Sequence, residues 1–472
     1  MSDPTFTLWS GRLAAGPGEA LWRFTVDRTD RRLLTHDIRG SLAHVSMLGG
    51  RGILSADETD ALGRGLEAVR AEAEAGSFPF LESDEDVHTA VERRLTEIAG
   101  PVAGKLQTGR SRNDQVCLDL RLYLAEAVDA RLAEIDRLVA ALVAQAERHT
   151  GTIVAAYTHL QQAQAIPLGH HLLAYAWMLT RDSARLSGAR TRIAVSPLGA
   201  GAVAGSSLPL DPVAVAEQLG LPAVFENSMD AVASRDFVSE YVFCCAQTMT
   251  NLSRLAEDLV LWSTGEFGWV RFDDALATGS SALPQKKNPD MAELVRGRAA
   301  STLGDLTAVL ALQKGLPLAY NRDLQEDKAL AFRADDTLAA ALAAMTALIG
   351  GAQFEPPPPD SSVVALDLAE VLVARGMPFR QAHATVGRLV ARLAVEGRLL
   401  GDVTVDELLS ADASFLPDDL AVLDVARSVE RRRTRGAGSP RSVVAQIDAL
   451  RSWLGSDRPA VTADQGSTGR NG

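Results

Sequence analysis

The chain has 472 residues and a formal net charge of −13, with 47% hydrophobic and 23% charged residues. This balance is ordinary for a globular protein and argues against wholesale disorder. Binding to nucleic acid or to an anionic membrane is not expected, because it needs a clustered positive face and the one basic run is residues 431–433.

The cysteines and the N-terminus indicate a cytoplasmic protein. Cys117, Cys244 and Cys245 are too few for a disulfide framework, so we expect buried thiols in a reducing compartment. Residues 1–20 lack a basic segment followed by an apolar stretch, and no apolar run reaches the roughly 18 residues of a membrane-spanning helix. The sequence therefore predicts neither a secretory signal nor a transmembrane segment.

Breaks in the helical pattern divide the chain into three predicted domains. Gly100-Pro101 and residues 104–113 end a first region, so an N-terminal helical domain is placed at residues 1–107. A central bundle of long helices follows at residues 108–352. Four successive prolines at residues 356–359 cannot lie inside a helix, and a smaller helical domain is placed at residues 353–454. Residues 455–472 are expected to be a disordered tail.

Three apolar stripes with helical spacing lie in the central region. Their members step by three and four residues, as a helix face buried along its length requires, whereas two-residue alternation is scarce. The sequence therefore predicts an all-α fold around a long-helix bundle, with apolar seams of the kind that continue across a subunit interface. The stripes are Val128, Leu132, Ile135, Val139, Leu142 and Ala146; Cys245, Met249, Leu252, Ala256 and Leu259; and Val295, Ala299, Leu303, Leu306 and Leu310.

Polar, glycine-punctuated segments interrupt this helical pattern. The first is TGRSRND at residues 108–114, where small residues and two arginines before a long helix suit an anion site. It can equally be a simple helix cap, with Asn113 or Asp114 as the N-cap. The second is AYTHLQQAQ at residues 156–164, in which His159 lies among hydroxyl and amide groups. His159 can be catalytic or, as lone histidines more often are, structural.

Two further segments contain most of the lysines, of which the chain has five among 47 basic residues. TGSSALPQKKNPD at residues 278–290 combines hydroxyl groups with two lysines, and backbone donors with an ammonium could stabilise a serine alkoxide there. KGLPLAYNRDLQEDK at residues 314–328 could fix the polar end of a ligand. The alternatives are a polar surface loop for the third segment and a solvated helix connection for the fourth.

Neither a cofactor nor a metal is expected. Gly199, Gly201 and Gly205 resemble part of a dinucleotide fingerprint, but the spacing is wrong and no strand–helix–strand context surrounds them. His170 and His171 lie among leucine and alanine and are interpreted as helix residues. No paired histidine or cysteine spacing indicates a metal site.

The four segments together resemble the argininosuccinate lyases of the fumarase/aspartase superfamily. The resemblance runs from about Leu8 to the region of Ala449. It implies a homotetramer around a helical bundle, with each active site assembled from three subunits and a small-molecule substrate. The implied reaction is β-elimination of argininosuccinate to fumarate and arginine, in arginine biosynthesis and without a cofactor.

The resemblance also implies residue roles. Ser280 matches the general base that removes a carbon-bound proton of the succinyl group, and His159 matches the general acid at the leaving nitrogen. The other matched positions are Lys286 and Asn288 for the succinyl carboxylates, Ser111, Arg112, Asn113 and Thr158 for the substrate, Tyr320, Gln325 and Lys328 for the arginine end, Arg235 for substrate binding, and Asp86, His88 and Glu293 in support.

Three positions depart from the family pattern, and one of them bears on the substrate. Val26 stands where a serine is usual, Leu283 replaces a methionine, and Leu366 replaces a threonine in a shortened C-terminal region. A missing hydroxyl at Val26 would weaken recognition of the amino-acid end. One alternative is therefore a lyase that releases fumarate from another N-succinyl amine, guanidine or hydrazine. Another is a non-catalytic structural relative, against which the presence of Ser280, His159 and Lys286 argues.

Overall fold

A computed structural model describes residues 18–456 of the chain. Residues 1–17 therefore lie outside the described residues. The predicted tail does too, apart from its first two positions. None of the helices in the described part combines the length and apolarity needed to cross a membrane.

Helices dominate the described residues, as the sequence predicts. Short 3₁₀ turns join several of them. The helices are α1 (Glu19–Thr25), α2 (Leu34–Gly50), α3 (Ala56–Glu74), α4 (Val87–Ala99), α5 (Arg112–Arg148), α6 (Leu168–Ile193), α7 (Pro212–Gln218), α8 (Ser228–Ala233), α9 (Asp236–Trp262), α10 (Asp290–Gln313), α11 (Asp327–Gly351), α12 (Ala365–Ala374), α13 (Phe379–Val395), α14 (Val405–Ala411), α15 (Val425–Glu430) and α16 (Pro440–Gly455).

The strands are short and form two-stranded pairs that brace the helix connections. The pair β1 (Ile153–Thr158) and β2 (Gln161–Pro167) is an antiparallel hairpin. The other pairs are β3 (Val195–Ser196) with β4 (Ala223–Val224), parallel; β5 (Val270–Arg271) with β8 (Gln353–Phe354), antiparallel; and β6 (Thr278–Gly279) with β7 (Lys287–Asn288), antiparallel.

Two of the three predicted stripes form core faces. The stripe on α9 is fully buried, and the stripe on α5 is buried except for the partly exposed Leu132. The third is wrong in its second half, because Leu303 and Leu310 are 48% and 53% exposed. The buried line of α10 instead runs through Ala299, Thr302 and Val309, one residue away on the helix face.

Two apolar clusters organise the described chain. One joins the N-terminal helices to the long-helix bundle and includes Val443, Ile447 and Leu450 of α16. The other lies within residues 363–429 and includes Ala155 and Ala165 of the β1–β2 hairpin. The last helix therefore packs on the bundle, although the predicted boundary placed it with the C-terminal region. The domain boundaries themselves stay predictions.

Candidate active site

The segment at residues 108–114 begins α5 with a reciprocal cap. Ser111 is the N-cap, and its Oγ accepts from the backbone N–H of Asn113 at 3.3 Å. The carboxylate of Asp114 accepts from the backbone N–H of Ser111 at 2.9 Å. The alternative that made Asn113 or Asp114 the N-cap is therefore wrong, because those residues already lie in the first turn. Asn113 is left to donate from its side chain to the carbonyl of Ala202 at 3.0 Å.

A cavity of about 50 Å³ lies beside this helix start. Six of the predicted site residues line it, from three separate parts of the chain, and the lining contains both acidic and basic groups. These six residues are Asp86, His88, Arg112, Tyr320, Gln325 and Lys328, and they share the lining with Asp27, Asp30, Glu85, Val116 and Arg322. We call this group, with residues 111–113, the cavity end of the molecule.

Arg112 is held in place on two sides. Its Nε lies 3.1 Å from a carboxylate oxygen of Asp86, and its Nη1 donates to Gln115 at 2.9 Å. Asp86 is in turn fixed as the N-cap of α4, where it accepts from the backbone N–H of Thr89 at 2.6 Å. Although burial opposes ionisation, Arg112 and His88 hold the pKa of Asp86 below its ordinary value. The cavity thus presents a charged pair in a fixed geometry.

Lys328 is positioned by a buried chain of charges. Its Nζ donates to Asp327 Oδ1 at 3.0 Å, and the other carboxylate oxygen of Asp327 accepts from Nε of Arg235. The side chains of Arg235 and Asp327 are 0% exposed. Arg235 also donates to the carbonyl of Ser234 at 2.8 Å. This placement favours a supporting role for Arg235 instead of the predicted direct contact with substrate.

The N-terminal segment closes one side of the cavity end. The backbone carbonyl of Thr25 accepts from Gln325 at 3.2 Å and from Arg322 at 3.0 Å. Val26 is the next residue, in extended backbone at the end of α1, and is partly buried. The departure at Val26 therefore lies next to predicted substrate-binding groups.

Two buried carboxylates under the cavity, Asp37 and Asp119, were not predicted from the sequence, although their neighbour His88 was. Nδ1 of His88 donates to Asp37 at 2.9 Å and lies 3.3 Å from a carboxylate oxygen of Asp119. Burial and the neighbouring Asp37 raise the pKa of Asp119 well above its ordinary value. Against burial, His88 and Arg110 hold the pKa of Asp37 low. This trio could also hold a metal ion, but the raised pKa of Asp119 and the nearby charge of buried Arg110 weaken its attraction for a cation.

The predicted acid, His159, lies at the tip of the β1–β2 hairpin. His159 and Leu160 are the two turn residues, and each has a φ of 56°. Positive φ at both positions defines the tight turn that matches the twist of a hairpin, but it is costly for residues with a branched or bulky side chain. Both side chains are exposed, as is Thr158. The turn projects the imidazole away from its own chain.

The predicted base, Ser280, lies in a loop held at its stem by β6 and β7. Its Oγ accepts from the backbone N–H groups of Leu283 at 3.0 Å and Ala282 at 3.3 Å. Such donors stabilise a serine oxygen as it becomes negative. Both lysines of the loop are exposed, and Lys287 also donates to the carbonyl of Phe272 at 2.5 Å and to Asp274 at 2.8 Å.

The remaining predicted residues of this loop lie beside its stem. Asn288 is on β7 and donates to the hydroxyl of Thr278 at 3.5 Å. Glu293 is in the first turn of α10, 3.6 Å from Arg296. We call Thr158, His159, Ser280, Lys286 and Asn288 the loop end of the molecule.

The cavity end and the loop end are far apart in one chain. Lys328 lies at the start of α11, which has 25 residues and spans about 37 Å. After the C-terminal end of α11, β8 pairs with β5, and the Ser280 loop follows β5 closely in the chain. Likewise, α5 has 37 residues, spans about 55 Å, and separates Ser111 from the hairpin that presents His159. A single chain therefore gathers the cavity residues but does not join them to Ser280 or His159.

Comparison with known proteins identifies the family. A model described as "Lyase" matches residues 19–304, and one described as "Argininosuccinate lyase C-terminal" matches residues 362–430. The chain is 45% identical over 452 residues to argininosuccinate lyase of Desulfovibrio desulfuricans, covering 94% of this chain and 97% of that protein. It is 49% identical over 434 residues to argininosuccinate lyase of Anaeromyxobacter dehalogenans, covering 91% and 93%.

A solved structure supports the same assignment. A variant of EDDS lyase with bound fumarate is 29% identical and has a TM-score of 0.80, covering 92% of this chain and 88% of that chain. The predicted all-α fold and superfamily resemblance are confirmed by these matches. The chain is a carbon–nitrogen lyase by descent and belongs to the argininosuccinate lyase family.

Proposed function

We propose that the chain cleaves argininosuccinate into fumarate and arginine by β-elimination, as the named relatives do. Two observations together carry the proposal. The chain is 45% identical to an argininosuccinate lyase over 94% of its length, and it contains all four polar segments, two of which line one charged cavity. We further propose that the protein acts in the cytoplasm, in arginine biosynthesis.

The chemistry needs a base and a way to hold negative charge. Ser280 takes a proton from the succinyl carbon next to the one that bears the nitrogen. This leaves a carbanion beside a carboxylate. The electron pair of this carbanion forms the C=C bond of fumarate as the C–N bond breaks, the C–N electron pair goes to the nitrogen, and His159 supplies the proton that makes guanidine a better leaving group. Backbone donors at Ser280 Oγ assist its deprotonation.

Lys286 and Asn288 would stabilise the succinyl carboxylates as charge builds. Lys286 is exposed and Asn288 is partly exposed. An ammonium that approaches the carboxylates more closely in the transition state lowers the barrier instead of only tightening substrate binding.

The cavity end suits the amino-acid head of arginine. Lys328 and Arg112 offer positive charge to a carboxylate, and Asp86 with Glu85 offers negative charge to an ammonium. Lys328 is 4% exposed and fixed by Asp327, so it is already oriented before a ligand arrives.

We also propose a homotetramer in which three subunits complete each site. The separation of the cavity end from the loop end supports this, because no substrate of this size spans about 37 Å. Leu303 and Leu310, exposed and seven residues apart on one face of α10, support it as well. Exposed apolar residues in one line along a long helix are typical of a subunit interface.

A second candidate reaction keeps the elimination and changes the leaving group. Two observations favour it: Val26 in place of serine beside Gln325, and the 29% identity to EDDS lyase. A test is fumarate release by the purified protein, followed by ultraviolet absorbance, with argininosuccinate and EDDS as parallel substrates. We expect turnover of argininosuccinate. Turnover of EDDS alone would reject the first candidate in favour of the second.

Two variants make this test sharper. Ser280→Ala, assayed at equal concentration, identifies fumarate released by a contaminating lyase. Val26→Ser restores the usual hydroxyl and is expected to lower KM for argininosuccinate by a few-fold, about the value of one hydrogen bond. Growth without arginine of a host that lacks this lyase, when supplied with the gene, would test the proposed cellular role.

A further inference from the structure

The glycine loop at residues 197–205 lies directly against the start of α5. The backbone N–H groups of Gly199 and Gly201 donate to Asp114 Oδ2 at 3.1 and 2.8 Å. The other carboxylate oxygen of Asp114 accepts from the backbone of Ser111 at 2.9 Å. One buried carboxylate therefore joins the loop to the N-cap of the helix.

The loop has little freedom of its own. Gly199 and Gly201 have φ values of 108° and 62°, which disfavour residues with a Cβ. A Cβ on Gly201 would lie 2.9 Å from the carbonyl oxygen of Gly205. The backbone N–H of Gly205 donates to Ala200 at 2.8 Å and closes the loop on itself. The dinucleotide-like glycines thus serve a tight backbone turn.

The loop contacts two of the segments that line the candidate site. The side chain of Asn113 donates to Ala202 of the loop at 3.0 Å. On its other side, Ala200 is buried in a small apolar cluster against which Ala319 packs, next to Tyr320. A shift of the loop would therefore displace both Asn113 and the segment that contains Tyr320.

We propose that Asp114 is a positioning residue that clamps the loop of residues 197–205 to the start of α5 and so fixes Ser111 and Asn113 for substrate binding. The inference rests on the proposed function. Asp114 is 0% exposed, so it acts through the two backbones instead of touching substrate. Hydrogen bonds from backbone N–H groups to a carboxylate are stronger than those between neutral groups.

Ionisation of Asp114 is part of the clamp. Burial raises the pKa of Asp114 to about 6, although its backbone donors and Arg110 act in the opposite direction. Assays at about pH 8 therefore keep the carboxylate ionised.

Three variants test the clamp in the full-length enzyme. Asp114→Asn removes the charge and turns an acceptor into a donor. Gly201→Ala disturbs the loop without changing Asp114. Gly220→Ala is the matched control, because Gly220 also has positive φ, 67°, but a Cβ there meets nothing within 4 Å.

We expect KM for argininosuccinate to rise about tenfold in Asp114→Asn and in Gly201→Ala, with kcat within about threefold of the parent. Gly220→Ala should keep the parent KM. Amide hydrogen exchange at residues 197–205 should be about tenfold faster in Asp114→Asn. A purely structural role would lower the thermal midpoint and the active fraction but leave KM unchanged.

The outcomes separate the two proposals. If Asp114→Asn does not fold, Gly201→Ala carries the test of KM. Parent-like KM in the folded variants, or unchanged exchange at residues 197–205, would overturn the clamp. A parent enzyme that does not turn over argininosuccinate would instead reject the proposed function, and the exchange measurement would still decide whether Asp114 holds the loop.

Discussion

The cavity end and the loop end differ in how completely one chain builds them. At the cavity end, Lys328 and Arg112 are held by carboxylates, and Lys328 is buried. At the loop end, His159 and Lys286 are exposed, and the hydroxyl of Ser280 is held by the backbone of its own loop. The binding groups are thus pre-organised within the chain, and the groups proposed to carry out the reaction face outward.

This difference has a physical reason. Buried charges are costly without partners, so the groups of the cavity end fold only as a connected network. Exposed groups such as Lys286 are solvated and need no buried partner within their own chain. They can acquire their partners when another subunit packs against them. The comparison predicts that substitutions at the loop end lower turnover, whereas those under the cavity lower stability.

The largest expected effect is that of Ser280→Ala on turnover. Loss of the proposed base should lower kcat by about 10³-fold or more while the protein stays folded, because the loop stem does not depend on the hydroxyl. Steady-state fumarate release measures kcat, and circular dichroism checks the fold. Ser281→Ala is the matched control and should retain most activity. Full activity of Ser280→Ala would remove Ser280 from the mechanism.

The buried pair should give the largest effect on stability. Arg235→Met leaves Asp327 without its guanidinium partner, and the free energy of unfolding should fall by about 3–5 kcal/mol. Arg64→Met breaks an exposed ion pair with Asp60 and should change the free energy of unfolding by less than about 0.5 kcal/mol. Denaturant unfolding compares the two. Equal effects would contradict the network assigned to the cavity end.

His159→Asn should lower kcat by about 10²-fold through loss of the proposed acid. Asparagine tolerates positive φ better than most residues, so the turn should persist. The unfolding midpoint is therefore expected to stay close to that of the parent. A variant that loses stability as well as turnover would show that His159 serves the hairpin instead.

The smallest effect concerns the hairpin tip. Leu160 has a φ of 56°, so Leu160→Gly should be more stable than Leu160→Ala by about 1 kcal/mol. The alanine variant retains the backbone cost and removes the same side chain, which isolates the contribution of φ. Denaturant midpoints of the two variants decide the point, and equal midpoints would argue against strain at this turn.

The sequence was sufficient for the fold class and for the stripes on α5 and α9, because helical periodicity is a local property. It failed for Leu303 and Leu310, since which face of α10 is buried depends on how that helix packs against α9 and α11. Periodicity also could not show that α16 returns to the bundle.

The candidate site was predictable where chemistry and sequence coincide. The polar segments pointed to Ser280, His159 and Lys328, but their family roles came from resemblance and stay predictions. Of the trio Asp37, His88 and Asp119, only His88 is predicted, through the resemblance, because the three residues come from three distant helices. The glycines of the loop at residues 197–205 stand out in the sequence. Their spacing excludes a dinucleotide-binding motif, but it does not indicate the structural role of the loop.

The most direct test of shared active sites is subunit mixing. Ser280→Ala and His159→Asn are purified separately, mixed, dissociated and reassembled, and fumarate release is compared with that of each variant treated alone. If Ser280 and His159 of one site come from different subunits, about a quarter of the sites in random tetramers regain both groups, and activity should return to about that fraction. Mixed oligomers of the parent size with no recovered activity would contradict the account.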